Sequence, residues 1–302
     1  MPLKYGTITN AIAAAFAISL IVAAEPQKAQ AATLHDGWNY AIDSFNDGVT
    51  GGQVGGGEFE FYGLAFKETA ENIFVALNTN LSLAGFAHGG AQGGSISYGD
   101  LFFNFSGLKF NEASTIGSLF AVRFAESNDS GAATTGVYSN VTAKNVTETN
   151  SGYANLNEYN AHVETRGGKP SIGDLAANDS YFDQTGDWTV LNVINSGTKV
   201  GDISFLSKAA LNVMGLDFAH FNATGSQTIG FSLNKSVMPS GSFVANIFAE
   251  CANDGMAING ELETVPEPSS VLGTLVALGL IGTRVLAKRK RNRESFRDSY
   301  HI

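Results

Sequence analysis

Oxygen donors crowd one short stretch of the chain, Asp43-Ser44-Phe45-Asn46-Asp47-Gly48, with Asp36 a little upstream. Carboxylates and an Asn gathered in a glycine-containing turn are the ligands that a hard cation such as Ca2+ takes. The distal Glu and the ligand spacing of an EF-hand are absent, and Asn-Asp-Gly is equally a turn formula. The residues therefore allow two readings, an ordinary turn or a stabilising Ca2+ site drawing on Asp36, Asp43 and Asp47. No other cofactor is expected.

Other chemistry-bearing residues are sparse. His35, His88, His162 and His220 show no His-x-x-Glu-His or His-x-His pattern, so turn or surface positions are expected for them. Glu58 and Glu60 read as neighbours on the wet face of a strand. A glycosidase instead places two carboxylates on opposite walls of a cleft, about 5 to 10 Å apart. No Gly-x-Ser-x-Gly elbow occurs. Cys251 is the single cysteine, which excludes an intramolecular disulfide and any metal site built on several thiolates. With Phe248, Ala249 and Ala252 around it and no adjacent base, it reads as a small apolar packing residue. No catalytic residue and no enzymatic activity are expected.

The elements that must position these residues are mostly strands. Short segments rich in Phe, Val, Ile and Thr, separated by Gly, Asn, Asp and Ser, are the pattern of an all-β domain. Residues 57–66 alternate apolar and polar positions, and further strands are predicted at 72–78, 95–98, 101–105, 118–124, 135–142, 188–194, 200–206, 227–233, 242–248 and 257–263. That number fits a two-sheet β-sandwich, jelly-roll-like, with a closed barrel left open by spacing alone. The middle departs from the β pattern. Residues 152–166 carry an apolar helical face with Ser151 as N-cap and Gly167-Gly168 as a stop, and 171–177 can form a second short helix capped by Ser171 and Asp174. Together they read as a helical insertion, and a third helix is predicted at 207–214, closed by Gly215. The Gly-rich stretch 51–57 precedes a strand, not a helix, and so does not form a phosphate cradle.

Both ends carry addresses. Lys4, the apolar residues 11–24 and the Ala29-Gln30-Ala31 site form a secretory signal over residues 1–31, with the mature chain starting at Ala32 after signal-peptidase cleavage. At the other end Pro266-Glu267-Pro268 introduces residues 269–287, an apolar run with Arg284 as its one charge. As a helix this run extends about 28 Å, close to the hydrocarbon thickness of a bilayer. Lys288-Arg289-Lys290-Arg291 follows and is expected to stay in the cytoplasm with the polar tail 292–302, which leaves residues 32–264 as one β-rich extracytoplasmic domain.

A Pro-Glu-Pro motif, an apolar helix and a basic end, contiguous over residues 265–291, resemble the sorting tail of the PEP-CTERM class of bacterial surface proteins. The resemblance implies recognition of Pro266, Glu267 and Pro268 by an exosortase, a membrane enzyme that processes such tails on the way to the cell surface. It also implies a setting of exopolysaccharide production. Just upstream, Phe248-Ala249-Glu250-Cys251-Ala252-Asn253-Asp254-Gly255 resembles the terminal strand and turn of a recurring group of exosortase-dependent surface proteins, with Ala252 where a Gly is expected. That likeness brings no biochemical activity with it.

Residues 32–266 hold nine basic and 24 acidic residues, a net charge of −15. A surface this acidic repels phosphate backbones, so nucleic acid is not an expected partner, whereas divalent cations are attracted. Eight Asn-x-Ser/Thr triplets follow from an Asn- and Ser-rich composition and read as turn and surface chemistry. Two functions are consistent with these residues. The first is an exported, non-enzymatic surface or extracellular-matrix protein, transiently anchored in the inner membrane. The second is a glycan-binding module or hydrolase that uses Trp38, Tyr40, Tyr153, Tyr159 and Trp188 as stacking faces for extracellular polysaccharide.

Overall fold

The computed structural model describes residues 33–264 of the 302-residue chain. The signal segment with Ala29, Ala31 and Ala32, the motif Pro266-Glu267-Pro268, the apolar run behind it and Lys288 to Arg291 lie outside the described residues.

The β-branched and aromatic runs form strands because their side chains suit a pleated, half-buried surface. In chain order the strands are β1 (Thr33–His35), β2 (Trp38–Ile42), β3 (Val49–Thr50), β4 (Gln53–Val54), β5 (Phe61–Glu68), β6 (Asn72–Thr79), β7 (Phe86–Ala87) and β8 (Ser95–Ile96). They continue with β9 (Leu101–Asn104), β10 (Leu119–Arg123), β11 (Gly136–Lys144), β12 (Val193–Gly201), β13 (Ile203–Leu206), β14 (Gln227–Asn234), β15 (Gly241–Phe248) and β16 (Gly255–Leu262). The α-helices among the described residues are α1 (Phe110–Thr115), α2 (Leu156–Thr165) and α3 (Lys208–Val213).

Two six-stranded antiparallel sheets dominate, ordered β1-β2-β5-β6-β14-β13 and β12-β11-β10-β9-β15-β16. Their edges are open, so the domain is an all-β two-sheet structure and not a closed barrel. Each sheet is a four-strand meander extended by a later pair of strands, which differs from a jelly roll, where the chain passes between sheets at almost every strand. The chain leaves β6 at Thr79 for β9 and leaves β14 at Asn234 for β15. Register pairs Thr79 with Gln227 and Asn72 with Asn234, so these two crossings lie at opposite ends of the neighbouring strands β6 and β14. The sheets are thereby interlocked.

Between the sheets lies the main core, with Leu64, Phe66, Val75 and Phe231 from one and Leu101, Phe103, Phe243 and Ile258 from the other. Strand alternation sends the intervening side chains outward. Phe102, Ala121 and Tyr138 meet Phe110 of α1 and Leu156 on one outer face, while Trp38, Tyr40, Ala65 and Ala76 meet Leu211 of α3 and Phe218 on the other. A bulge between Phe61 and Gly63 shifts the parity in β5, which is why Phe61, Leu64 and Phe66 all face inward.

Several elements differ from expectation. The N-cap of α2 is Asn155, whose side chain accepts the Glu158 N–H, while Ser151 adopts a left-handed conformation in the preceding turn. Gly167, at φ +82°, ends the helix as expected. Residues 171–177 form no helix; Pro170 precedes them, Gly173 at φ +57° breaks the helical path, and Ile172 and Leu175 close a tight bridged turn. The helix expected at 207–214 forms as α3, and Ser207 caps it. Trp188 sits at φ +58°, so β12 begins only at Val193. The strands β1 to β4 and β7 and the helix α1 are additions to the elements read from the sequence. Among the described residues no helix is long and apolar enough to cross a membrane.

Candidate cation site

Four carboxylates from three separate stretches of chain meet inside the domain. Asp43 and Asp47 come from the loop after β2, Glu60 from the residue before β5, and Asp254 from the turn between β15 and β16. Ligand oxygens of Asp43, Asp47 and Asp254 lie within 4.8 Å of one another. Asp47, Glu60 and Asp254 have no exposed surface, and Asp43 is 5% exposed.

Local structure explains how the loops are held. Ser44 Oγ donates to Asn46 Oδ1 at 2.8 Å, a short-range bond of the kind that shapes turns, and Gly55 N–H closes the following hairpin onto the Gly48 carbonyl at 2.9 Å. Gly48 is required by close approach, since a Cβ there would lie 2.5 Å from Glu60 Cα. Asn253 fixes the β15–β16 turn against Val49 by donating its side-chain amide to the Val49 carbonyl at 2.7 Å and accepting the Val49 N–H at 2.9 Å through its own carbonyl. Within that turn Ala252 takes φ +52°, the left-handed region that favours glycine.

Each carboxylate is tethered by donors. Asp43 Oδ1 accepts the Ser171 hydroxyl and, at 3.1 Å, the Gly173 N–H, while Asp47 Oδ2 accepts the Ser171 N–H at 2.7 Å. Glu60 Oε2 accepts the Gly48 and Gly56 N–H groups at 3.0 and 2.9 Å. Asp254 Oδ2 accepts the Phe61 N–H and Oδ1 the Gly255 N–H, both at 2.7 Å, and the Tyr159 hydroxyl from α2 reaches the Asp47 carbonyl at 3.2 Å and Asp254 Oδ1 at 3.4 Å. The remaining oxygens, Asp43 Oδ2, Asp47 Oδ1 and Glu60 Oε1, are buried without a hydrogen-bond partner. Among the described residues no Lys, Arg or His forms an ion pair with any of the four.

Burial raises the proton affinity of all four groups, taking Glu60 to about 7 and holding Asp43 above the ordinary carboxylate range. For Asp47 and Asp254 burial is again the largest cause, and the neighbouring carboxylates push further in the same direction. A site closed to solvent admits no glycan. Buried carboxyls brought together in this way can hold a cation or a proton.

The structure thus joins Asp43 and Asp47 and sets Asp36 apart. Asp36 lies in the β1–β2 turn, 3.7 Å from the His35 ring nitrogen, where His35 also approaches Asp217 at 4.0 Å and stacks on His220 at 3.8 Å. Two histidines expected to be isolated therefore share one partly exposed cluster. Glu58 is exposed as expected, but Glu60 is buried. Among the aromatics considered for stacking, Trp38, Tyr40 and Tyr159 are core residues, Tyr153 is half-buried and Trp188 is 36% exposed, so they form no common face. Cys251 is buried, and burial raises its thiol pKa far above the usual range. No family model, curated protein or solved structure matches the chain.

Proposed function

We propose that this chain is an exported bacterial surface or extracellular-matrix protein, delivered through an exosortase-read tail and acting as a non-enzymatic structural or interaction module. The observation that carries this reading is the tail, in which Pro266-Glu267-Pro268, the apolar run and Lys288 to Arg291 follow one another without a gap. The strands add support, because they run from Thr33 to Leu262 and fit between Ala31 and Pro266. Signal peptidase and exosortase are the processing partners in this reading, and extracellular polysaccharide is the surrounding material. Burial of Trp38, Tyr40 and Tyr159 weighs against the glycan-binding or hydrolase alternative, which needs those rings on the surface.

The test is substitution of Pro266, Glu267 and Pro268 by Ala in a host that has an exosortase. A plain anchor depends on apolar length and flanking charge alone and is insensitive to the change. We expect the wild-type chain to lose its C-terminal segment and reach the surface or medium, and the triple-Ala chain to remain full length in the membrane. Identical processing of both would reduce the tail to an anchor and remove the reading.

A further inference from the structure

We infer that Asp43, Asp47, Glu60 and Asp254 form an internal Ca2+ site that fastens the loop after β2 to the β15–β16 turn. Acidity alone does not carry this. The decisive feature is the division of labour within the carboxylates. In Asp43, Asp47 and Glu60 one oxygen is fixed by N–H or O–H donors while the other is buried and unpartnered. Donors of this kind orient metal-binding carboxylates, and the oxygens left over are those that a cation coordinates. Glu60 lies outside the three-Asp group and supplies an independent indication. Its Oε2 is held by the N–H of Gly48, the residue after Asp47, and its Oε1 is fully buried and unpartnered.

Ion size and chemistry select calcium. Ca2+ binds oxygens at about 2.3 to 2.6 Å, so two ligands of one ion are separated by at most about 5 Å. The 4.8 Å spread of the three Asp oxygens falls inside that limit. The donors are all oxygen, whereas zinc sites favour nitrogen and sulfur. Mg2+ retains several waters in a strict octahedron, which a cluster with almost no exposed surface accommodates poorly. Asp36 is not a ligand.

The inference is independent of sorting and is tested on the full-length chain in detergent, stripped with a chelator and titrated with Ca2+ alone. About one Ca2+ per chain should be retained after desalting, and the melting temperature should rise progressively with Ca2+ concentration, as mass action requires of a ligand bound only by the folded state. Mg2+ at the same concentration should give a smaller rise. Asp47→Asn and Glu60→Gln should abolish the rise yet melt no lower than the stripped wild type, because each replaces a buried carboxyl with a neutral amide of the same shape. Glu58→Gln, at an exposed neighbour, should keep the full response. No retained Ca2+ and no shift at millimolar concentration would overturn the inference, as would an undiminished response in Asp47→Asn. Retention by the wild type decides the matter even if a variant fails to fold.

Discussion

Glu250 has no exposed surface, and its two oxygens accept the N–H groups of Asp129 and Ser97 at 2.5 and 2.7 Å. Burial outweighs those donors and, with the charges of Asp129 and Asp100, lifts the carboxyl to about 7; burial lifts Asp174 to about 7 as well. A carboxyl whose folded pKa exceeds its unfolded value binds more protons when folded. Its stabilising effect is therefore complete below the unfolded value and is lost as pH rises to the folded one, here from about 4 to about 7. In chelator, the full-length chain should melt several degrees higher near pH 5 than near pH 8, and Glu250→Gln should narrow that gap. An unchanged gap would remove Glu250 from the response. At this scale Asp43 and Asp47 are legible in the sequence because one turn carries both. Glu60 is not, since the alternation of β5 starts only after it, and Asp254 is brought to the cluster by a strand pairing that no local pattern reports.

Among the elements, the bridged turn at 171–175 has two tasks that a helix there would forfeit. Ser171 and Gly173 hold Asp43 and Asp47, while the Asp174 N–H donates to the Ala257 carbonyl at 3.0 Å and the Asp174 carboxylate accepts the Asn259 N–H at 2.9 Å. Both contacts fall on β16, a strand at the edge of its sheet. Uncovered edges invite pairing with other chains. Asp174→Ala should cost about 1 to 2 kcal/mol in chemical denaturation and increase aggregation, whereas Asp174→Asn, which keeps an acceptor, should cost less. Equal losses in the two variants would count against the edge-covering role. On the opposite face α3 approaches so closely that a Cβ on Gly230 would lie 2.5 Å from Leu211 Cδ1. Gly230→Ala should destabilise by about 1 to 3 kcal/mol. Combined with Leu211→Ala, the loss should be smaller than the sum of the separate losses, and strict additivity would dissociate the two sites. The helix α3 is legible from Ser207 and Gly215. The helix reading of 171–177 fails on Pro170 and Gly173, both visible in the sequence.

For the whole molecule, the all-β class is legible because turn residues punctuate apolar runs throughout. The interlocked order is not, since β6 finds β14 and β9 finds β15 across long intervals of chain. Trp38, Tyr40 and Ile42 alternate as a half-buried strand should, and their burial accounts for rings that composition alone leaves free to face solvent. The proposed topology makes a direct prediction for the intact chain. An alkaline-phosphatase reporter fused after Glu263 should be active and one fused after Arg297 inactive; activity from both would exclude a single span with a cytoplasmic end.

The place of β16 has a mechanical meaning. It is the last strand before the tail, and Leu262 pairs with Gly241 while Gly255 pairs with Phe248. A pull entering at Leu262 and directed across the strand loads these hydrogen bonds one after another, so that the strand peels as a zipper, whereas a pull along its axis would shear them together. Peeling runs back to Asp254, whose carboxylate grips the Phe61 N–H of the opposite sheet. In the proposed surface setting, drag of that kind would fray the C-terminal strand first and meet its stop at the buried carboxylates, and the proposed cation would then raise the force at which the domain gives way.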